Sequence, residues 1–289
     1  MTLPQKDFDP TPQDGLAHVI GDTGQAIWHR TIPDVFKETV GRFADHDAGV
    51  FPEQGIRWSW AAFDREVDAL AHGFLKLGLQ KGDRVGIWSP NRAEWLLTQF
   101  ATARVGIILV TINPAYRVSE VEYVLNKVAC AALVTAAEFK TSDYLGMLRE
   151  LAPELATSAP GALAAAKLPH LKSIIRVGAD PTPGMLNFDA VVDSGRDSDP
   201  ATLDALGADL DPEDAINIQF TSGTTGAPKG ATLSHVNIVN NGRFVVGAQN
   251  LTERDRLCIP VPLYHCFGMV MGSLGCVTTG AAMIFPSEG

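Results

Sequence analysis

Short runs of uninterrupted apolar residues alternate with amphipathic stretches along most of this 289-residue chain, and that alternation narrows the fold more than any other feature. Arg84 to Trp88, Ile107 to Ile112, Ala131 to Val134, Ile174 to Val177 and Ala215 to Phe220 read as strands with almost no polar face. A strand that is apolar on both sides must be covered on both sides, which parallel strands joined by crossover helices achieve. The intervening stretches supply those helices. Thr31 caps one in which Ile32, Val35, Phe36, Val40 and Phe43 recur at helical spacing. Ser59 opens another, whose Phe63, Val67, Leu70, Phe74 and Leu77 share a face before Gly78 ends it. Further helices are predicted from Ala93 to Arg104 and from Ser119, with Glu122 closing a capping box. The expected fold class is α/β, with mostly parallel sheets flanked by helices.

Three stretches interrupt the pattern. Residues 152–169 carry Pro153, Pro160 and Pro169 and read as a surface connection or an irregular helix. Asp193 to Asp214 holds seven Asp and one Glu and reads as a solvated linker. Leu257 to Ser287 carries no formal charge, which raises the question of a membrane span. Pro260, Pro262 and four glycines from Gly268 to Gly280 argue instead for a buried strand, loop, helix and strand. No transmembrane segment is expected.

A net charge of −10 with no basic block argues against a nucleic-acid surface. Four irregularly spaced cysteines make neither a disulfide framework nor a zinc site, so a reducing compartment is expected. The first residues, MTLPQKDFDPTPQDG, lack the apolar core of a secretory signal and the arginines of a transit peptide. Together these features predict a cytoplasmic location, with residues 1–26 as a surface arm.

Chemistry concentrates after the Ala215 to Phe220 strand, in Thr221-Ser222-Gly223-Thr224-Thr225-Gly226-Ala227-Pro228-Lys229-Gly230. Its glycines let the backbone turn tightly and present N–H groups, while its hydroxyls and one lysine offer donors to an anion. That is phosphate-binding chemistry. It is not a P-loop, because Pro228 precedes Lys229 and Gly230 stands where the magnesium-binding hydroxyl would be. Pro228 also forbids a helix running straight out of the loop; the next is expected at Ser234. No G-x-G, H-E-x-x-H or G-x-S-x-G occurs, which removes dehydrogenase, zinc-protease and serine-hydrolase readings.

TSGTTGAPKG followed by ATLSHVNIV resembles the signature of the adenylate-forming (AMP-binding) superfamily. GDRVGI from Gly82, NRAEW from Asn91 and PLYHCFG from Pro262 support the likeness, which runs from about residue 27 to the end. The combination looks most like medium-chain fatty-acid-CoA ligases. The resemblance implies stacked, mostly parallel sheets like those of the large N-terminal domain of acyl-CoA synthetases. It divides the chain into a first α/β subdomain at 27–210 and the start of a second at 211–289. It also implies a two-step reaction, in which ATP and a fatty acid give an acyl adenylate and pyrophosphate, and coenzyme A then displaces AMP.

By motif position, Thr221, Ser222, Gly223, Thr224, Thr225, Gly226 and Lys229 would bind the nucleotide phosphates, and Thr224 would also assist Mg2+. His265, Phe267 and Gly268 would line the acid pocket. A Cys266–His265 nucleophile pair is not expected, because neighbours on an extended segment point to opposite faces. The longer enzyme would take a fatty acid, ATP and CoA, bind no nucleic acid, and could form a homodimer.

Family members run to roughly twice this length. The magnesium-binding glutamate, the ribose-binding aspartate and the C-terminal lid domain with its catalytic lysine would lie beyond residue 289. By the same likeness the chain is expected to be an inactive fragment. The alternatives are a non-catalytic remnant or another adenylate-forming ligase, such as an aryl-CoA ligase or an adenylation domain. Ala281 to Phe285 is expected to end the chain as an unpaired, aggregation-prone strand.

Overall fold

The computed structural model describes residues 24–221 and 228–288. Most of the predicted N-terminal arm therefore lies outside the described residues, as do Ser222 to Ala227.

From the N-terminal side the chain runs α1 (Ile32–Phe43), β1 (Asp47–Phe51), β2 (Ile56–Ser59), α2 (Trp60–Lys76), β3 (Arg84–Trp88), α3 (Ala93–Arg104) and β4 (Ile108–Thr111). It continues with α4 (Val118–Lys127), β5 (Ala132–Thr135), β6 (Glu138–Phe139), β7 (Ser142–Asp143), α5 (Tyr144–Leu151), β8 (Ser173–Arg176), β9 (Leu186–Asn187), α6 (Phe188–Gly195) and α7 (Pro200–Ala208). The last part holds β10 (Ala215–Thr221), β11 (Lys229–Ser234), α8 (His235–Ala248), β12 (Arg256–Cys258), a π-helix at Phe267–Leu274, α9 (Gly275–Thr279) and β13 (Ala282–Ile284).

Seven strands form the larger sheet in the order β11-β10-β4-β3-β5-β8-β9, parallel throughout except for the β10–β11 pair. Strand pleating sends alternate side chains to opposite faces. Val85 and Ile87 of β3, Ala132 and Val134 of β5 and Ile175 of β8 accordingly enter one core, while Trp88, Leu133 and Ile174 enter the other. This is why the strands carry no polar face. The first core also holds an aromatic cluster in which Phe36 packs on Trp60, Phe63 and Phe100 at centroid distances of 6.0, 5.3 and 5.1 Å.

The smaller sheet has the order β12-β13-β1-β2 and joins residues more than two hundred positions apart, with Val50 in register with Ile284. Phe51 stacks on Phe285 at 4.6 Å and 5°. Each sheet takes strands from both sides of residue 210.

Four sequence expectations need correction. β13 is not an unpaired strand: β12 flanks it on one side and β1 on the other, and Phe285 N–H donates to Val50 O at 2.9 Å. The exposure argued for aggregation at that strand is therefore absent. Residues 152–169 bury Leu155, Leu163, Ala165 and Leu168 in the second core, although their backbone is irregular. The acidic stretch folds into α7, which Asp199 caps, and buries Leu203; Lys37 and Lys81 pair with Asp204 at 2.7 Å and Asp214 at 2.9 Å. Helix α4 starts at Val118, because Glu120 rather than Glu122 reaches back to the Arg117 N–H at 2.8 Å.

The charge-free segment does form a strand, loop, helix and strand, but its first strand, β12, is an edge strand that is largely exposed and not buried as expected. Among the described residues no helix is long and apolar enough to cross a membrane.

Candidate functional site

Parallel strands release their loops at one shared edge, and ligands of open α/β sheets bind there. Ser89 follows β3, Asn113 follows β4 and Thr221 ends β10, so all three lie along that edge. A cleft of about 310 Å3 opens at it, lined by Ser89, Asn113, Arg117, Lys140, Pro262 and Tyr264 among others.

Buried side chains hold the cleft in shape. Trp88 stacks on Tyr144 at 3.9 Å, and both reach the next turn: Trp88 Nε1–H donates to Asn113 O at 3.2 Å and Tyr144 O–H to Pro114 O at 2.8 Å. Burial raises the Tyr144 phenol well above its usual range, which keeps it a neutral donor. On the other wall, the Asn91 amide donates to Val261 O at 2.9 Å and accepts from Leu263 N–H at 2.7 Å. It thereby fixes the chain leading into Tyr264. Asn91 is 4% exposed. Arg117 and Lys140 are exposed and bring positive charge to a molecule of net negative charge.

The two ends of the glycine- and threonine-rich run, Thr221 and Lys229, are both described. Thr221 and Lys229 are register partners across β10 and β11, with Thr221 Oγ1 3.4 Å from Lys229 O. Tyr123 of α4 donates to Pro228 O at 3.2 Å. The ends of the run thus belong to an antiparallel strand pair, and Lys229 is exposed at the start of β11. Ser222, Gly223, Thr224, Thr225 and Gly226 lie outside the described residues. As expected, no helix leaves the loop: β11 intervenes, and α8 begins after Ser234, whose Oγ accepts from Asn237 N–H at 3.3 Å.

Tyr264 and Pro262 line the cleft, whereas His265 and Phe267 are exposed and Gly268 is buried outside the cleft lining. A Cβ on Gly268 would stand 2.5 Å from Pro262 O, so only glycine fits where the π-helix begins. Residues 265–268 form a turn, not an extended segment, and Cys266 Sγ lies 3.6 Å from His265 Nδ1. The geometric reason given against a Cys–His pair therefore fails. That nitrogen already accepts from Phe267 N–H at 3.2 Å.

Gln99 and the π-helix escape sequence reading. Gln99 donates to Met269 O at 3.2 Å and accepts from Ser273 Oγ at 3.1 Å, satisfying groups that the wide turn leaves open. The available signal was a polar residue on the α3 face that also carries Trp95, Leu96 and Ala103.

His235, the first residue of α8, is fully buried and its Nδ1 accepts from Ile32 N–H at 3.0 Å. Burial is the main cause that pushes its imidazole down to about 4, against opposing pulls from Asp214 and Asp34. The neutral form is the folded form, so its stabilisation is complete above the unfolded value near 6.5 and is lost as pH falls toward 4. Between pH 7 and pH 5 this should remove about 2 kcal/mol of unfolding free energy. Urea unfolding of wild type and His235→Gln at the two pH values checks it. A decline of equal size in the variant would contradict the assignment.

Among the described residues no group of three or more His, Cys, Asp or Glu side chains gathers to hold a metal ion. The Mg2+ expectation rests on Thr224 alone, outside the described residues.

Residues 36–289 match the family model described as AMP-binding enzyme. The chain is 45% identical to the medium-chain acyl-CoA ligase ACSF2, mitochondrial, of Danio rerio over 94% of its own length and 45% of that protein. With the Homo sapiens protein of the same name it shares 45% identity, covering 96% of this chain and 46% of the relative. The chain thus spans about half the length of these relatives. The crystal structure of the anthranilate CoA ligase AuaEII with anthranoyl-AMP superposes with a TM-score of 0.76 at 22% identity, covering 90% of this chain and 45% of that one. That likeness concerns the fold.

The relatives' names place them in mitochondria, which overturns the expected cytoplasmic location. Unpaired cysteines report reducing conditions and cannot tell one reducing compartment from another. Its sequence from residue 36 onward, its fold and its relatives agree: the chain belongs to the AMP-binding enzyme family.

Proposed function

We propose that this chain forms the carboxylate- and nucleotide-handling part of a medium-chain fatty-acid-CoA ligase. In this reading ATP and the acid give an acyl adenylate and pyrophosphate, and the thiol of CoA then displaces AMP. The observation that carries it is the position of Thr221 and Lys229, the two ends of the glycine- and threonine-rich run, at the same sheet edge as the cleft built from Ser89, Asn113 and Tyr264.

Each part has a task. The amides and hydroxyls of that run, with Lys229, hold the phosphates and offset charge that develops at phosphorus. Mg2+ supplies Lewis-acid polarisation when bound. The Thr224 hydroxyl is a hard oxygen donor suited to it, since that ion takes few protein ligands alongside substrate phosphates. Asn91, through the Val261 to Leu263 backbone, positions the Tyr264 wall of the cleft. Arg117 and Lys140 place positive charge where a phosphorylated thiol would enter. The residues from His265 to Gly268 bound the acid side.

Acyl-CoA formation by the 289 residues alone is expected to be undetectable, a proposal supported by their covering 45% and 46% of the relatives' length. A panel of acids in the enzyme built on this chain tests the substrate class. Each buried methylene is worth about 0.8 kcal/mol, or roughly fourfold, so exchange of labelled pyrophosphate into ATP at limiting acid should rise with chain length and then fall. Preference for acetate, an amino acid or an aryl acid would overturn the fatty-acid reading.

A further inference from the structure

A second cavity, of about 270 Å3, lies between α2 and the turn joining α6 to α7, lined by Arg65, Asp68, His72, Arg196 and Ser198 among others. It shares no lining residue with the cleft at the strand edge. Gly195 packs so closely on α2 that a Cβ there would stand 2.9 Å from that of His72, which brings the α6–α7 turn against the imidazole.

The polar groups of this cavity are unequally matched. Glu66 takes both terminal nitrogens of Arg196 at 2.8 and 2.9 Å, Asp68 lies 3.2 Å from Arg104 Nε, and Asp199 accepts from Ala201 N–H at 3.0 Å. Glu66 and Asp199 therefore already have hydrogen-bond partners, and Asp68 has an ion-pair partner although its Oδ1 makes no hydrogen bond. His72 has none: it is 6% exposed, and its ring makes no hydrogen bond among the described residues. Arg65 is exposed and pairs with no carboxylate among the described residues, and Ser198 Oγ is shielded and unpartnered.

Arg65, His72 and Lys76 recur at i, i+7 and i+11, a spacing that keeps them on one stripe of α2. Burial, and then the charge of Lys76, hold the His72 imidazole below its usual range, with Asp199 pulling the other way. Two acidic groups line the wall: Glu66, which Arg196 neutralises, and Asp68, whose carboxyl burial above all raises. A guanidinium fork and an unpartnered imidazole lining one cavity, two helical turns apart on α2, are donors suited to an oxyanion.

We propose that this cavity binds a small phosphate-class oxyanion, with Arg65 as its forked partner and His72 as a second donor. Inorganic phosphate is the probe, titrated into the full chain at fixed pH and ionic strength while the His72 ring resonances are followed by NMR. A saturable shift is expected. It should require at least about tenfold more phosphate in Arg65→Ala, and should be recovered in part by Arg65→Lys, which keeps the charge but not the fork. Lys229→Ala should leave it unchanged, and acetate should not reproduce it. Equal affinity in Arg65→Ala would overturn the proposal. So would loss of the shift in Lys229→Ala, which would assign binding to the run from Thr221 to Gly230, or an equal saturable shift with acetate, which would make the site a carboxylate site.

Discussion

Replacing Lys229 or Thr224 with alanine is expected to slow acid-dependent exchange of labelled pyrophosphate into ATP by about 10-fold to 100-fold at limiting ATP. A hydrogen bond to a charged group is worth about 1.5 to 3 kcal/mol, and every 1.36 kcal/mol is a factor of about ten in rate. The effect should appear in the rate and leave the fold intact. Lys229 is exposed, and what holds it in β11 is the backbone ladder to Thr221, which alanine keeps. Full exchange rates in both variants would mean that the run from Thr221 to Gly230 does not hold the phosphates.

The second large effect is expected at Asn91, away from the phosphates. Asn91→Ala leaves Val261 C=O without its donor and the buried Leu263 N–H without its acceptor. Unpaired buried groups cost about 1 to 3 kcal/mol each, so urea unfolding should lose about 2 to 4 kcal/mol. Asn91→Asp should lose at least as much, since a buried carboxylate would set an acceptor against Val261 O even though it still accepts from Leu263 N–H. A change under about 0.5 kcal/mol for Asn91→Ala would show that the Val261 to Tyr264 segment is held by something else.

Much of this architecture is written in the chain because burial on two faces leaves a mark that needs no partner to read. β3 and α3 have the limits expected from their sequence, and β4, β5 and β8 differ by a residue or two at their ends. β11 was invisible for the opposite reason. Lys229 to Thr232 are exposed, and the strand exists because β10 offers it a ladder. The smaller sheet was equally hidden, since nothing local to Ile284 announces Val50 as its neighbour.

Helix α7 could have been found. Asp199 followed by Pro200 is an N-cap with proline at the first helical position, a signal that the surrounding acidity masked. At the site, the run from Thr221 to Gly230 stood out as a candidate for phosphate binding because glycine, hydroxyl and lysine chemistry is local. The cleft did not, because Ser89, Asn113 and Tyr264 meet only through the parallel order of the strands. Asn91 lay within a motif already noticed, yet its role depends on Val261 and Leu263, some 170 residues away.

The most direct measurement is amide hydrogen exchange on the chain with and without a hydrolysis-resistant acyl-adenylate analogue carrying a medium-length chain. Such an analogue presents the phosphate, nucleoside and acyl groups together, so it should engage that run and the cleft wall at once. Protection is expected to rise in two segments in parallel, Thr221 to Gly230 and Pro262 to Gly268, with a common concentration dependence that Lys229→Ala shifts to higher concentration. Protection confined to other segments, or absent from Thr221 to Gly230 at saturation, would contradict the assignment of this sheet edge as the adenylate site.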